Sequence, residues 1–225
     1  MEKKKFDIVK ALKWFFDSFI WLGLILLFID ILTKNLIIKF QDNIFNGGGR
    51  NGGVDIIPGF LGVNYIINSN VVFGWDIFKN PLVNRIVFIV VALLAAIGII
   101  IYLIFKWDKT NRFYKACLFM IISGAIGNAI DRIFYTSEYL HQGVGGLATG
   151  VVDWIDFYGI WGFNFNIADS AVVVAAIMLI VYMIVTEIMA YVQKKKLEPK
   201  KEEDNVKVVS KTEQEKNEYL ENKDE

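Results

Sequence analysis

Four stretches of the chain, at about 15–38, 83–105, 113–130 and 168–192, are each long and apolar enough to cross a bilayer as a helix. A crossing takes roughly 20 residues at helical rise. The composition agrees. Of the 225 residues 55% are hydrophobic and 15% aromatic, and the mean hydropathy is +0.42, more apolar than a typical soluble domain. The first stretch follows Lys3, Lys4, Lys5, Lys10 and Lys13 and has the outline of a cleaved signal peptide, but its apolar core is too long and no small-residue cleavage site follows. It reads as a retained helix.

Basic residues beside the helix ends set the expected orientation. The N-terminal lysines, the short link with Lys106, Lys109, Arg112 and Lys115, and the Lys194–Lys196 cluster share one side, the cytoplasm. The long connections, 39–82 and 131–167, are poorer in Lys and Arg for their length and lie outside. Both termini are then cytoplasmic. The expected fold is a mainly α membrane protein of four transmembrane helices. A small β-containing extracytoplasmic subdomain is expected between helices 1 and 2, because Val54–Ile67 is rich in β-branched and aromatic residues broken by Pro58, Gly59 and Gly62. Residues 1–192 form the membrane domain. From about Gln193 to Glu225 the chain is rich in Lys and Glu with few apolar residues, and a disordered cytoplasmic tail is expected.

Several chemistries are poorly supplied. Cys117 is the single cysteine, which excludes an intrachain disulfide and a thiol-redox pair. His141, the single histidine, sits in a loop with Gly143, Gly145 and Gly146 and reads as a surface residue, leaving little for a Ser-His-Asp system or a histidine-bearing metal site. The glycine-rich loop at 46–53 lacks the Gly-Lys-Ser/Thr ending of a phosphate loop.

Ionisable groups within the spans cost about 2.5–3.5 kcal/mol each on insertion scales, so they call for a pairing or functional reason. Asp17 falls near the cytoplasmic end of the first span and reads as a boundary residue. Asp30 and Lys34 lie four apart on one helical face, where opposite charges can meet. Gly124, Asn128, Asp131 and Arg132 recur at helical spacing at the end of the third span, with small residues that admit another helix closely. Asp131 and Arg132, being adjacent, each reach a separate partner. Asn166 and Asp169 lie three apart where the fourth helix begins, as an N-cap and a first-turn acid would. A second acid, Asp153 or Asp156, is held in a mostly apolar run just before them. Two carboxylates at one outer face can share a proton and activate water.

These motifs resemble those of the lipoprotein signal peptidase (signal peptidase II) family. Asp30-Ile31-Leu32-Thr33-Lys34 is similar to its first-helix motif, and Asn68-Ser69-Asn70-Val71-Val72-Phe73-Gly74 to its Asn-x-Gly-x-x-Phe-Gly stretch. Gly124 to Arg132 resembles its Gly-x-x-x-Asn-x-x-Asp-Arg block, Val151-Val152-Asp153 its Val-Val-Asp-Phe element, and Phe165-Asn166-Ile167-Ala168-Asp169 its Phe-Asn-x-Ala-Asp element. The blocks occur in family order over roughly residues 25–175. The resemblance implies Asp153 and Asp169 as a catalytic dyad, with Asp30, Lys34, Asn68, Gly124, Asn128, Arg132, Asn166 and Ala168 supporting it or contacting substrate. Asp131 is implied to be structural. The implied reaction is cleavage just before a diacylglyceryl-modified cysteine in a prolipoprotein, in the bacterial cell membrane, without metal or organic cofactor. Membrane lipids are the surroundings, a monomer is expected and no nucleic acid is a partner. The sequence departs from the pattern at Asn70, where glycine is usual, and at Trp154, where phenylalanine is. It also lacks a proline before Phe165, and its loops near 50 and over 133–150 are long. A transporter is the competing class, but no inverted repeat is visible and the polar residues gather at outer helix ends rather than at mid-membrane.

Overall fold

The computed structural model describes residues 7–41, 53–68, 80–135, 150–158 and 162–221. His141, most of the glycine-rich loop, Ser69–Gly74 and most of the 133–150 loop lie outside them. The chain divides into two compact units, Met1–Ile177 and Met178–Glu225.

Among the described residues, four helices are long and apolar enough to cross a membrane. The first is not continuous as expected. Helix α1, Ile8–Ser18, is capped by Asp7, whose side chain accepts from Lys10 N at 3.1 Å. It ends at Phe19, which adopts φ 62°, and α2 then runs from Ile20 to Lys39. A left-handed phenylalanine costs about 1–2 kcal/mol. The Ser18 hydroxyl offsets this by donating to Phe15 O at 2.6 Å and accepting from Ile20 N at 3.2 Å, which supplies two bonds the break would otherwise lose. The first span therefore begins at Ile20, five residues later than the sequence suggests, and Asp17 lies in α1.

Helix α3, Pro81–Lys106, starts where its sequence dictates. Asn80 accepts from Leu82 N at 3.0 Å, and Pro81 occupies the first turn, where no amide is needed. A 3-10 turn, Trp107–Lys109, leads to α4, Arg112–Phe134, capped by Asn111. Helix α4 extends four residues past the expected end, so Asp131 and Arg132 are helical. Its small residues make it central. A Cβ on Gly23 would stand 3.1 Å from Phe119 O, and one on Gly127 would stand 2.6 Å from Asp30 Oδ2, so α2 and α4 run side by side in the same direction. Helix α3 returns antiparallel, since Arg85 near its start reaches Arg132 O near the end of α4.

The sheet has the order β1-β2-β3-β4 and is antiparallel throughout: Val54–Ile57, Leu61–Asn68, Val151–Phe157 and Asn164–Phe165. Pro58 and Gly59 form the β1–β2 turn, in which Gly59 takes φ 74° and Phe60 N donates to Ile57 O at 3.0 Å. The subdomain expected between helices 1 and 2 is only half of this sheet. The connection after α4 supplies β3 and β4, because Val151–Asp153, in a mostly apolar run of the sequence, pairs with Ile66–Asn68. Ile38, Tyr65, Tyr135 and Val152 form the buried cluster that fastens the sheet to the ends of α2 and α4.

Helix α5 runs from Ile167 to Glu221. Its second part includes the stretch expected to be a disordered tail, which is helical as far as Glu221. A Lys- and Glu-rich sequence cannot build a core, but both residues are good helix formers, so a lack of apolar residues excludes packing rather than helix.

Candidate active site

The start of α5 builds one wall of the site. The Asn166 side chain accepts from Asp169 N at 2.8 Å, and the Asp169 carboxylate accepts from Asn166 N at 3.3 Å. This is a reciprocal capping box, in which each residue satisfies an amide left open by the first turn. Because Asn166 Oδ1 is occupied in this way, its Nδ2 faces outward and donates to Asp153 Oδ1 at 2.9 Å and to Asn128 Oδ1 at 3.1 Å. Asp153 is carried by β3, and its other oxygen accepts from Asn68 Nδ2 of β2 at 3.0 Å. The structure thus brings Asn68, Asp153, Asn166 and Asp169 together.

Lys34 sits behind them, fully buried. Its ammonium lies 2.7 Å from Asp30 Oδ2, 2.8 Å from Asp131 Oδ2 and 3.2 Å from Asn128 Oδ1. A lysine only donates, so the oxygen of Asn128 must face it and Asn128 Nδ2 must point the other way. It donates to Asp169 Oδ1 at 2.7 Å. The buried cation, together with the Asn166 amide, therefore fixes the direction of an amide that bonds the candidate dyad directly. The carboxylates around Lys34 also tie elements together: Asp30 Oδ1 accepts from Ala168 N at 2.9 Å, and Asp131 Oδ2 from Val152 N at 3.2 Å. Helices α2 and α4, strand β3 and the start of α5 meet through these bonds.

Close approach is what permits this. A Cβ on Gly124 would stand 2.5 Å from Ala168 O, and one on Gly127 would come 3.1 Å from Ala168 Cβ as well as against Asp30. Arg132 turns the other way from Asp131, donating to Asn128 O at 3.2 Å and lying 5.8 Å from the Phe88 ring centre. The two adjacent residues do reach separate partners.

Burial of the Asp153 carboxyl raises its pKa to about 8, and the neighbouring Asp169 charge pushes in the same direction; Asn68, Lys34 and Asn166 oppose the shift. A carboxyl that keeps its proton near neutral pH beside a second carboxyl can serve as a general acid. Asp156, the alternative partner, is elsewhere. It is bonded to Asn64 Nδ2 at 2.7 Å and sits in a row across the sheet with Asp55, Gly62 and Asn164.

Two contributors escape a reading of the sequence. Gly127 is as tightly enclosed as Gly124, yet a lone glycine in an apolar run gives no distinct signal. Arg85 donates from Nε to Arg132 O at 2.6 Å and from Nη2 to Ile133 O at 3.2 Å, capping the end of α4. A charge four residues into an apolar span was a usable sign of it.

Residues 22–185 match the sequence profile of the family described as Signal peptidase (SPase) II. The lipoprotein signal peptidase of Fusobacterium nucleatum is 35% identical over 164 residues, covering 72% of this chain and 84% of that protein. That of Borreliella afzelii is 32% identical over 178 residues, covering 76% and 91%. A bacterial membrane enzyme solved by the in meso method at 1.9 Å matches with a TM-score of 0.55 at 25% identity, covering 74% of this chain and 92% of the other. With most of each relative's length matched, the site-bearing region included, the chain belongs to the signal peptidase II family.

Proposed function

We propose that Asp153 and Asp169 are the catalytic pair of this aspartic-type prolipoprotein signal peptidase, with Asp153 as the protonated partner and Asp169 as the base. The observation that carries this is their shared anchor: Asn166 bonds Asp153 through its side chain and Asp169 through its backbone. Asp169 takes a proton from water as the water oxygen attacks the scissile carbonyl carbon, and Asp153 gives its proton to the carbonyl oxygen, forming a tetrahedral diol. Collapse of the diol breaks the C–N bond, and a proton passes from the pair to the departing amine of the cysteine. That cysteine carries the diacylglyceryl group, and its bond to the signal peptide is the one cut.

Asn68, Asn128 and Asn166 orient the two carboxyls. Asp30, Lys34 and Asp131 hold α2, α4 and β3 in place, Gly124 and Ala168 admit α5 closely, and Arg132 stands at the rim for substrate. By the distribution of basic residues both termini are cytoplasmic and the site opens toward the outer face, in a monomer surrounded by lipid. Residues 1–192 are the catalytic membrane domain and 193–225 a charged extension.

The test uses purified Asp153→Asn and Asp169→Asn with a lipidated precursor. Each should lose cleavage by a factor on the order of 10²–10⁴, the worth of one general acid or base, while remaining helical by circular dichroism. Asp131→Asn should chiefly lower thermal stability. Cleavage retained by either dyad variant would remove that residue from the chemistry.

A further inference from the structure

The break at Phe19 separates an eleven-residue helix, α1, from the first span, and its faces are sharply sorted. At about 100° per residue, Ile8, Val9, Leu12 and Phe16 share one arc, Lys10, Lys13 and Asp17 a second, and Ala11, Phe15 and Ser18 a third. The third faces the protein: Ser18 is buried, and Ala11 and Phe15 are partly so. The apolar arc is open, with Ile8 63%, Val9 75%, Leu12 52% and Phe16 57% exposed. The span that follows directly, α2, also exposes apolar residues, among them Leu24, Ile25 and Phe28.

Helix α1 does not hang from Phe19. Trp14 stacks on Trp107 of the α3–α4 link with ring centres 5.7 Å apart, Asp17 pairs with Arg112 at 3.0 Å, and Arg112 lies 5.7 Å from the Phe19 ring centre. Lys115 covers Trp107 at 4.0 Å. The helix is therefore clamped at the end of the bundle opposite the catalytic pair. Around it stand six basic residues, Lys10, Lys13, Lys106, Lys109, Arg112 and Lys115, against the acids Asp7, Asp17 and Asp108. Asp7 pairs only loosely with the exposed Lys10, at 3.6 Å, and Asp17 with Arg112, so the excess of six cations over three acids leaves a cationic rim beside an apolar face.

An open apolar arc bordered by lysines fits an interfacial helix. We propose that α1 lies in the membrane surface and binds anionic phospholipids, with Ile8, Val9, Leu12 and Phe16 among the acyl chains and Lys10, Lys13, Lys106 and Lys109 on the headgroup phosphates. Lipid is favoured over a protein partner because the rim is cationic, the sign that anionic headgroups attract, and because α1 leads directly into a helix long and apolar enough to cross a membrane. Through the clamp, this contact sets the depth of α2 and hence the height of Lys34, about 22 Å further along the helix at 1.5 Å per residue.

The test uses the full chain in nanodiscs containing phosphatidylglycerol and phosphatidylcholine. Nitroxide labels placed by Val9→Cys, Leu12→Cys and Lys13→Cys report depth from their accessibility to oxygen and to a water-soluble nickel chelate. Labels at 9 and 12 should lie roughly 5–10 Å below the phosphates, and the label at 13 in water. Spin-labelled lipids then give the preference for phosphatidylglycerol over phosphatidylcholine. Lys10→Gln/Lys13→Gln/Lys106→Gln/Lys109→Gln should lose most of that preference, at about fivefold per lysine fully engaged, and its retained cleavage activity shows that it is folded. Equal water exposure at all three positions overturns the proposal, as does a preference unchanged in the quadruple variant. Burial of positions 9 and 12 only when a second protein is added overturns it in favour of a protein partner.

Discussion

Replacing Lys34 with methionine keeps most of the side-chain volume and removes the charge on which the polar interior of the bundle converges. In the native chain the ammonium, fully buried, pairs with Asp30 at 2.7 Å and Asp131 at 2.8 Å. Without it, Asp30 keeps the Ala168 amide and Asp131 the Val152 amide, and Asp131 Oδ1 already lacks a hydrogen bond among the described residues. Removing one member of a buried ion pair costs about 3–5 kcal/mol, because the remaining charge is left uncompensated. At about 2–4 °C per kcal/mol for a domain of this size, Tm should fall by about 6–20 °C. Cys117 supplies the assay. It is buried on α4, so a fluorogenic maleimide reacts with it only as the bundle opens. Lys34→Met/Asp131→Asn should recover part of the loss, since it removes one of the stranded charges. Cleavage measured below Tm should also fall, by about tenfold or more, because Asn128 Oδ1 then keeps only the Asn166 amide to hold it while its own amide faces Asp169. A Tm within about 2 °C of the native value, or a double variant whose loss equals the sum of the singles, would refute the view of Lys34 as the hub.

The pH dependence of kcat/KM should have a falling limb near pH 8. With Asp153 as the proposed acid, its carboxyl raised to about 8 by burial and by the Asp169 charge, activity should be lost as pH rises through that value and the proton leaves; a flat profile to pH 10 would contradict the assignment. Gly127→Ala should lower Tm by about 2–12 °C, from an overpacking cost of about 1–3 kcal/mol, because its Cβ would meet Asp30 Oδ2 at 2.6 Å. Asp156→Asn should cleave within about threefold of the native rate, since a carboxamide oxygen can still accept from Asn64; a loss comparable to that of Asp153→Asn would place Asp156 in the chemistry.

What the sequence discloses follows the range of the forces involved. The spans are legible because each is set by its own run of apolar residues, and the β1–β2 hairpin because Pro58 and Gly59 encode its turn locally. The Asp30–Lys34 pair is legible too, being one helical turn. Strand β3 is not, since Val151–Trp154 is short and its partner strand lies more than eighty residues away. Nor is the break at Phe19: a bulky residue in the left-handed region carries no glycine to announce it, and Ser18 and Arg112 hold it by contacts made only in the fold. The choice between Asp153 and Asp156 belongs to the same class. Their spacing of three puts them on different sides of a strand, but which side meets the start of α5, as Asp153 does through Asn166, is set by contacts made only in the fold.

If Asp153 and Asp169 are the catalytic pair, as proposed, the capping box at Asn166 and Asp169 couples their alignment to the start of α5. The amides that the helix start must satisfy are bonded by the residues that orient the two carboxyls, so completing the first turn of α5 and aligning the reactive groups are one event. A chain whose last crossing has not yet been inserted holds Asp153 alone, without Asn166 to aim it or Asp169 to share its proton. On the proposed assignment, hydrolytic power arrives with the final helix, and a half-assembled copy would be inert among the unprocessed precursors around it.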